Sequence, residues 1–172
     1  MAMKHIALFK QVCPICQEQL FETNLYEGDI PEFGNALFYI MRCSACGYKM
    51  TDIGSFEDKQ PVRYTLSVDQ NLDIRVLKGS MGKIKVPGVV ESEGGIFSEG
   101  YVTNVEGIIT HLRDILEFAK EQESSPIRRR LDNRIHHLNQ VLKGKGTLDL
   151  VIEDYTGNSA IISKKARKEA IV

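Results

Sequence analysis

Hydrophobic residues alternate with polar ones in three short runs in the middle of the chain. The longest run covers residues 62–69, and two shorter runs follow at residues 72–77 and 83–86, with glycine or proline residues between them. A two-residue period is typical of a strand with one buried face, and Gly and Pro favour the turns that separate strands. The pattern therefore predicts an antiparallel β-sandwich or barrel in this region.

The hydrophobic period changes to that of a helix over about residues 103–143. Thr103 and Glu106 have the spacing of a capping box, so we expect Thr103 to cap the first helix. Pro126 is suited to the first turn of a second helix, and Gly144 is placed to end it. Two helices joined by only a few residues form an antiparallel hairpin.

Strand-like alternation returns at residues 148–153 and again at residues 160–162. If these strands share sheets with the earlier ones, the helical hairpin is an insertion into a β-domain. We therefore expect a mainly β fold with an inserted α hairpin, in which the β-domain covers residues 59–163. The Lys- and Arg-rich residues 164–172 are expected to form a frayed basic tail.

The first third of the chain, residues 1–58, is predicted to be a separate metal-binding module. Residues 5–10 predict a strand or an extended arm, and residues 37–41 predict a strand. Glycine, proline and charged residues over residues 17–35 predict a loop, and those over residues 51–61 predict the linker to the β-domain.

All four cysteines of the protein lie in this module as two C-x-x-C pairs, Cys13 with Cys16 and Cys43 with Cys46. Each pair directs two thiolates from one tight turn towards a common centre, and two such pairs supply the four ligands of a tetrahedral zinc ion. Gly47 can adopt the positive φ that such a turn often needs. Because four sulfur ligands leave no open coordination position, we expect the zinc to be structural.

Other uses of the four cysteines fit the sequence less well. Two disulfides would suit a secreted protein, but residues 1–10 lack the apolar run of a signal peptide. A redox C-x-x-C motif usually occurs singly beside a βαβ pattern, which is not visible here. His5 is a further potential zinc ligand, but the four cysteines already complete the site.

The net charge of −1 hides an uneven distribution of charge. Acidic residues exceed basic ones over residues 1–60, whereas residues 124–147 and 163–172 are strongly basic. A zinc module that grips phosphates is normally basic itself, so the acidic module argues against nucleic acid as its ligand. The chain contains no run of roughly 20 apolar residues, and with no visible targeting signal we expect a cytoplasmic protein.

Four stretches of the chain resemble the ZPR-type zinc-finger proteins, particularly the single-module archaeal members. They are residues 13–16, 43–48, 98–107 and 154–159, and the Thr-Asn-Val-Glu-Gly and Asp-x-x-Gly-Asn-Ser blocks among them are quite specific. Tyr155 departs from the family pattern, which often has proline at that place. The resemblance implies a four-cysteine zinc ribbon followed by a double-stranded β-helix (jelly-roll-like) domain with a helical hairpin inserted.

The resemblance also implies a function. Eukaryotic relatives carry two such modules in tandem and bind translation elongation factor 1-alpha, acting as an adaptor or folding chaperone for that GTPase. By this likeness the chain is expected to be a zinc-dependent protein-interaction module whose partner is an elongation factor 1-alpha-type GTPase. Neither a membrane nor a small-molecule substrate is expected.

Candidate partner contacts lie on the predicted loops of both parts of the chain, because loops held by a rigid scaffold often carry binding groups. Each of these side chains could instead serve packing, above all the tyrosine that follows the second cysteine pair. The candidates are Ile30, Phe33, Tyr48, Glu99, Tyr101 and Thr103.

Two other classes of function compete with this one. Arginines at positions 128–130 and Arg134, together with the basic tail, could contact the phosphates of RNA or DNA, although a solvated helix face would look the same. An enzyme is not expected, because none of the four histidines lies in a predicted strand of the β-domain. The chain also has no phosphate-binding loop and no nucleophile-elbow motif.

Overall fold

A computed structural model describes residues 3–171 and contains twelve strands and two helices within that range. Neither helix of this part of the chain is long and apolar enough to cross a membrane. In chain order the elements are β1 Met3–Gln11, β2 Phe21–Ile30, β3 Gly34–Cys43, β4 Lys49–Gly54, β5 Val62–Val68, β6 Arg75–Lys78, β7 Lys83–Val86, β8 Val90–Ser92, β9 Tyr101–Asn104, α1 Val105–Glu121, α2 Ser125–Leu142, β10 Leu148–Asp154, β11 Ala160–Ile162 and β12 Arg167–Ala170.

The first four strands form one antiparallel sheet in the order β1-β2-β3-β4. The predicted loop over residues 17–35 is wrong for most of its length, because residues 21–30 pair with β3 along a long hairpin. Phe21, Thr23 and Leu25 are buried while their neighbours are half-buried, which is the alternation of a strand. The turn itself is confined to residues 31–33.

The predicted linker also begins later than expected. Residues 49–54 pair with β3 as β4, so the connection between the sheet and the next domain is limited to residues 55–61. Gly54 packs against the ring of Tyr39, and a Cβ at this position would lie 3.0 Å from that ring. A larger residue at this position would require the Tyr39 ring to shift.

The rest of the chain forms two further antiparallel sheets, one of five strands in the order β12-β5-β10-β7-β8 and one of three strands in the order β11-β6-β9. The expected mainly β architecture is confirmed. The predicted strand at residues 72–77 is shifted, since only its second half joins β6. The carbonyl groups of Leu72 and Ile74 instead accept hydrogen bonds from the first amides of α1. These carbonyls are therefore used by the helix start and not by pairing with a neighbouring strand.

The two helices form the expected hairpin between β9 and β10. Leucine and isoleucine residues of both helices lie in one hydrophobic core with the inward side chains of both sheets. Leu112 of α1, Leu138 of α2 and Leu150 of β10 are fully buried there. The hairpin is therefore part of the domain core, since its apolar faces are covered by the sheets.

The cap of the first helix differs from the expected one. Asn104, and not Thr103, is the N-cap residue, and its side chain accepts a hydrogen bond of 2.9 Å from the amide of Gly107. Thr103 stays in β9, where it pairs with Val76. Strand pairing thus fixes where the chain leaves the sheet, and the next residue able to cap takes that role.

The predicted fraying of the C-terminal basic tail is wrong for its central part. Residues 167–170 form β12, which pairs antiparallel with β5 from Arg167 opposite Thr65 to Ala170 opposite Val62. The high charge of this segment suggested a solvated tail. An edge strand needs only backbone partners on one side, however, and it tolerates charged side chains.

A partly buried polar network, the junction, joins the four-stranded sheet to the jelly-roll-like domain through Thr51, Asp52, Ser80 and Gly100. The carboxylate of Asp52 on β4 accepts hydrogen bonds of 2.7 Å from the Ser80 amide and from the Ser80 hydroxyl. Thr51 accepts from the Gly100 amide through its carbonyl and donates from its hydroxyl to the Gly100 carbonyl, both at 2.8 Å. These bonds fix the two sheet systems to each other.

Lys78 lies almost completely buried in the same network. Its ammonium group donates to the hydroxyl of Ser98 at 2.9 Å and to the carbonyl of Glu99 at 3.0 Å. Burial lowers its pKa, and the charges of Asp52 and Asp154 oppose that shift. The lysine therefore holds the loop before β9 in place through carbonyl and hydroxyl groups.

Candidate metal centre

Two knuckles bring the cysteines together at one end of the four-stranded sheet. In the first, the Cys13 carbonyl accepts from the Gln17 amide at 3.0 Å, and Gln17 has a φ of 63°. In the second, the Cys43 carbonyl accepts from the Gly47 amide at 3.0 Å, and Gly47 has a φ of 76°. Glycine meets this requirement without strain, as the sequence predicted for Gly47.

The four sulfur atoms have the geometry of a metal site. All four lie within 4.8 Å of one another, with Cys13 Sγ 3.8 Å from Cys46 Sγ and Cys16 Sγ 3.6 Å from Cys43 Sγ. Zinc–sulfur bonds of about 2.3 Å arranged as a tetrahedron place sulfur atoms about 3.8 Å apart. These cross-pair distances are too long for disulfides, whose sulfur atoms lie about 2 Å apart. The cluster fits a zinc ion bound by four thiolates.

The acidities of the thiols are consistent with a shared cation. The Cys46 amide lowers the pKa of Cys43 to about 7. A backbone hydrogen bond from Glu18 lowers the pKa of Cys16. Desolvation and the neighbouring thiols outweigh this bond and raise the pKa of Cys16 to about 12. Crowded thiols resist losing every proton unless a cation neutralises them, so zinc binding releases protons.

The sheet packs an aromatic pair against the metal centre. Phe21 is buried with Cys13 and Cys43, and its ring stacks on Tyr48 with 5.9 Å between ring centroids. Tyr48 was a candidate for both packing and partner contact, and this stacking supports packing. His5 lies elsewhere, with its ring edge-on to Tyr26, and is not part of the sulfur cluster.

The other candidate contacts do not form one surface. Ile30 is buried in the small cluster that includes Ile53 and Leu77, so its side chain is not open to a partner. Phe33 is half-buried in the β2–β3 turn, and the ammonium group of Lys59 lies 3.3 Å from its ring centroid.

The three remaining candidates lie around the start of β9. Glu99 is exposed and offers its carbonyl to Lys78, while Thr103 is held in the ladder with β6. Tyr101 is half-buried, and burial raises its pKa to about 12, with the charge of Glu99 acting in the same direction. Of the three, Glu99 has the side chain most open to a partner.

Sequence reasoning missed the polar groups that join the two domains. Asp52, Lys78 and Ser80 are far apart in the sequence and belong to no motif, so no local pattern could bring them together. The last block of the resemblance did carry a signal. Asp154 is fully buried, and its carboxylate accepts hydrogen bonds from Thr156 and Ser159.

Models of two protein domains match this chain. The ZPR1 zinc-finger domain matches residues 5–60, and the ZPR1 jelly-roll domain matches residues 70–171. The first match contains the sulfur cluster, and the second contains the two-sheet core with its helical hairpin. The expected fold of a four-cysteine zinc ribbon followed by a jelly-roll domain is thereby confirmed, and zinc is its cofactor.

Three similar proteins illustrate the range of relatives. A ZPR1-like protein of Pyrococcus horikoshii is 31% identical over 167 residues, which cover 92% of this chain and 75% of that protein. A ZPR1-like protein of Methanocaldococcus jannaschii is also 31% identical over 167 residues, covering 92% and 83%. The zinc finger chaperone zpr1 of Schizosaccharomyces pombe is 26% identical over 153 residues, covering 84% of this chain and 33% of its own length.

The two archaeal relatives match along most of their own length, whereas the match covers about a third of the fission yeast protein. This agrees with the single-module architecture expected from the sequence. With both domain models matched in order and the four-sulfur site in place, the chain belongs to the ZPR1 zinc-finger family.

Proposed function

We propose that the protein is a zinc-dependent adaptor or folding chaperone for an elongation factor 1-alpha-type GTPase, acting without catalysis in the cytoplasm. The family membership and the name of the fission yeast relative support a chaperone role. The identity of the partner rests on the resemblance described above. A zinc ion held by four thiolates has no open position for a substrate, which fits a binding role.

The observation that carries this proposal is the apolar edge of the zinc ribbon. β1 is an edge strand of the four-stranded sheet, and almost all its residues are exposed. Leu8 and Phe9 are 47% and 52% exposed on opposite faces of the strand. Monomeric proteins rarely leave an apolar edge strand open, because it invites pairing with other chains.

The face of this sheet that carries Leu8 holds a second exposed apolar side chain two strands away. Leu8 pairs with Asn24 on β2, and Asn24 pairs with Ile40 on β3, so Leu8 and Ile40 share a face. Ile40 is 44% exposed. An extended segment of an incompletely folded client could add to the β1 edge through backbone hydrogen bonds and place side chains over this face.

Direct binding of the zinc-loaded chain to a purified elongation factor 1-alpha-type GTPase tests the proposal. We expect Leu8→Glu to weaken binding by at least about tenfold, because a charge would be placed in an apolar contact. Ile127→Glu is the matched control, since Ile127 is similarly exposed but lies on α2. Both variants should retain zinc.

A lack of any measurable binding by the zinc-loaded wild-type chain would contradict the proposed partner. Equal loss of binding in the two variants would contradict the role of the β1 edge. Refolding yield of the GTPase in the presence of the chain separates a chaperone from a passive adaptor, because only a chaperone raises the yield.

Nucleic acid remains the competing ligand because of one feature of α2. The arginines at positions 128–130 and Arg134 are exposed, and within residues 3–171 they form no ion pair. Binding to RNA or DNA would weaken steeply with salt, in proportion to the phosphates neutralised. Salt-dependent oligonucleotide binding that is lost when these arginines are replaced by glutamine would favour this alternative over a protein partner.

A further inference from the structure

A pocket of about 370 Å³ lies where the zinc ribbon meets the jelly-roll domain. Four separate segments form it, namely the β2–β3 turn, the connection before β5 together with the start of β5, the turn after β10, and β12. Its lining includes Phe33, Lys59, Pro61, Tyr64, Gly157 and Lys168. We call it the lysine pocket, and its size is that of a small binding site at a domain boundary.

Two lysines face two aromatic rings in this pocket. The ammonium group of Lys59 lies 3.3 Å from the Phe33 ring centroid, and that of Lys168 lies 5.7 Å from the Tyr64 ring centroid. Cation–π contacts of this kind orient an ammonium group, and its N–H bonds that point away from the ring can be donated to other groups. Lys168 stands directly opposite Tyr64 in the β12–β5 ladder, which fixes its position on the sheet.

The positive charge in the lysine pocket is not balanced by an ion pair. Neither Lys59 nor Lys168 has a carboxylate oxygen within 4.0 Å among residues 3–171, although the acidic side chain of Glu32 also lines the pocket. Burial lowers the pKa of Lys59, Glu57 raises it, and the charge of Lys168 lowers it further. The two ammonium groups thus repel each other in the lysine pocket, where Lys59 is partly desolvated.

The wall of the pocket is rigid because one turn is locked in place. Gly157 has a φ of 70°, and a Cβ there would lie 2.5 Å from the Gln60 carbonyl oxygen. The same turn is anchored by the buried carboxylate of Asp154, which accepts hydrogen bonds from Thr156 and Ser159. The backbone of this wall is therefore held in place before a ligand binds.

The lining indicates which anion the pocket would take. It contains neither an arginine fork nor a helix N-terminus, the groups that most often hold phosphate. Pro61, Val62 and Ala170 add apolar surface beside the two lysines, and Glu32 would repel a doubly charged group. A singly charged carboxylate with an apolar group next to it matches this combination of charge and surface.

We propose that the lysine pocket binds an acidic side chain of a protein partner, with an apolar or aromatic side chain of the same segment against Pro61, Val62 and Ala170. This inference rests on the proposed function, because it assumes that the ligand is a protein segment. It concerns a different surface from the β1 edge and can therefore be tested separately.

Amide NMR spectra of the full zinc-loaded chain, titrated with peptides, test the inference. The probe is the capped peptide Gly-Glu-Phe-Gly, which carries one carboxylate, and its neutral control is Gly-Gln-Phe-Gly. We expect the acidic peptide to shift the signals of Phe33, Tyr64, Gly157 and Lys168, and to bind about tenfold more tightly than the neutral one because its contacts are charge-assisted. Inorganic phosphate is titrated in parallel.

The double variant Lys59→Gln/Lys168→Gln should lose the preference for the acidic peptide while keeping its zinc and its spectrum elsewhere. Lys164→Gln is the matched control, because Lys164 is an exposed lysine of the same C-terminal stretch that does not line the pocket. The inference is overturned if the double variant binds as the wild type does, if the two peptides bind equally, if phosphate binds and the acidic peptide does not, or if millimolar peptide shifts none of these signals.

These results separate the inference from the proposed function. If the acidic peptide fails to bind but the elongation factor still binds through the β1 edge, only the lysine pocket is wrongly assigned. If the peptide binds and the elongation factor does not, the pocket is a site for another acidic partner and the proposed function fails.

Discussion

The zinc ribbon and the jelly-roll domain are both built from antiparallel strands, yet different forces hold them together. The jelly-roll domain buries one large apolar core to which both of its sheets and both helices contribute. In the ribbon, the buried cluster beside the metal site contains Phe21 and two of the cysteines. β1 has both faces open to solvent. A second buried cluster of the ribbon, which includes Ile30 and Ile53, is shared with Leu77 of the jelly-roll domain, so the ribbon depends on its neighbour for part of its core.

This difference shows what the metal replaces. A module of about this size usually needs a disulfide, a metal or a partner because its own core is too small. Here the sulfur cluster closes the end of the sheet, and the junction anchors the other end to the jelly-roll domain. The ribbon is therefore free to expose apolar strands that a self-sufficient domain would bury.

The largest expected effect comes from removing one zinc ligand, because the ribbon depends on the metal for its fold. Structural zinc sites contribute about 10–16 kcal/mol of apparent binding free energy to folding. Cys43→Ser should therefore abolish stable zinc binding and unfold the ribbon, while the jelly-roll domain keeps its core. Elemental analysis of bound zinc and amide hydrogen exchange of both domains measure this outcome.

Ser44→Ala is the control, since Ser44 is exposed between the cysteines and contributes no sulfur. A Cys43→Ser protein with unchanged zinc content and unchanged exchange in β2 and β3 would show that Cys43 is not a ligand. Equal loss of protection in both domains would show that the jelly-roll domain also depends on the metal and is not held by its apolar core alone.

The features that the sequence predicted well are those with a local cause. The two cysteine pairs, the alternation over residues 62–68 and the helical period of α1 and α2 each occupy a short stretch, so the physical signal is complete within it. β2 was missed although Phe21, Thr23 and Leu25 alternate with polar residues. The glycines and proline near its end outweighed that alternation, yet they mark only the turn.

The features that could not be predicted depend on pairs that are distant in sequence. Asp52 meets Ser80 only after two sheets have formed, and Lys168 meets Tyr64 only because β12 finds the open edge of β5. Nothing in the composition of the last residues distinguishes such an edge strand from a solvated tail. The cap at Asn104 was missed by one residue because the length of the β9 ladder decided it.

A smaller effect is expected at the junction, where a substitution would uncouple the ribbon from the jelly-roll domain. Asp52→Ala leaves the buried amide and hydroxyl of Ser80 without their acceptor, which costs about 1–3 kcal/mol. We expect zinc to be released at a lower denaturant concentration while the unfolding midpoint of the jelly-roll domain changes less. A chromogenic chelator follows the first transition and circular dichroism follows the second.

Asp58→Ala is the matched control, because Asp58 is exposed in the connection between the domains and makes no side-chain hydrogen bond among the described residues. If Asp52→Ala moved both transitions equally, the two domains would unfold as one unit. If it moved neither, the junction would contribute nothing to the docking of the ribbon.

The smallest expected effect lies within the jelly-roll domain. It measures how much an ion pair adds to the free energy of unfolding of a domain held by its apolar core. Glu153 on β10 is nearly buried and accepts hydrogen bonds from Lys85 at 2.8 Å and from the Arg63 Nε at 2.7 Å. Lys85, and after it Arg63, lowers the pKa of Glu153 below its ordinary value of 4.5. We expect Glu153→Gln to cost about 1–2 kcal/mol at neutral pH.

The pH dependence of that loss identifies its cause. A carboxyl whose pKa is lowered by folding stabilises the folded state above pH 4.5, and this contribution disappears as the pH falls through the lowered pKa. The difference in unfolding free energy between the wild type and Glu153→Gln should therefore shrink in acid, whereas exposed Glu121 replaced by Gln should show little difference at any pH. A loss that stayed constant down to the pH at which the wild type unfolds in acid would assign the effect to packing and not to the charge of Glu153.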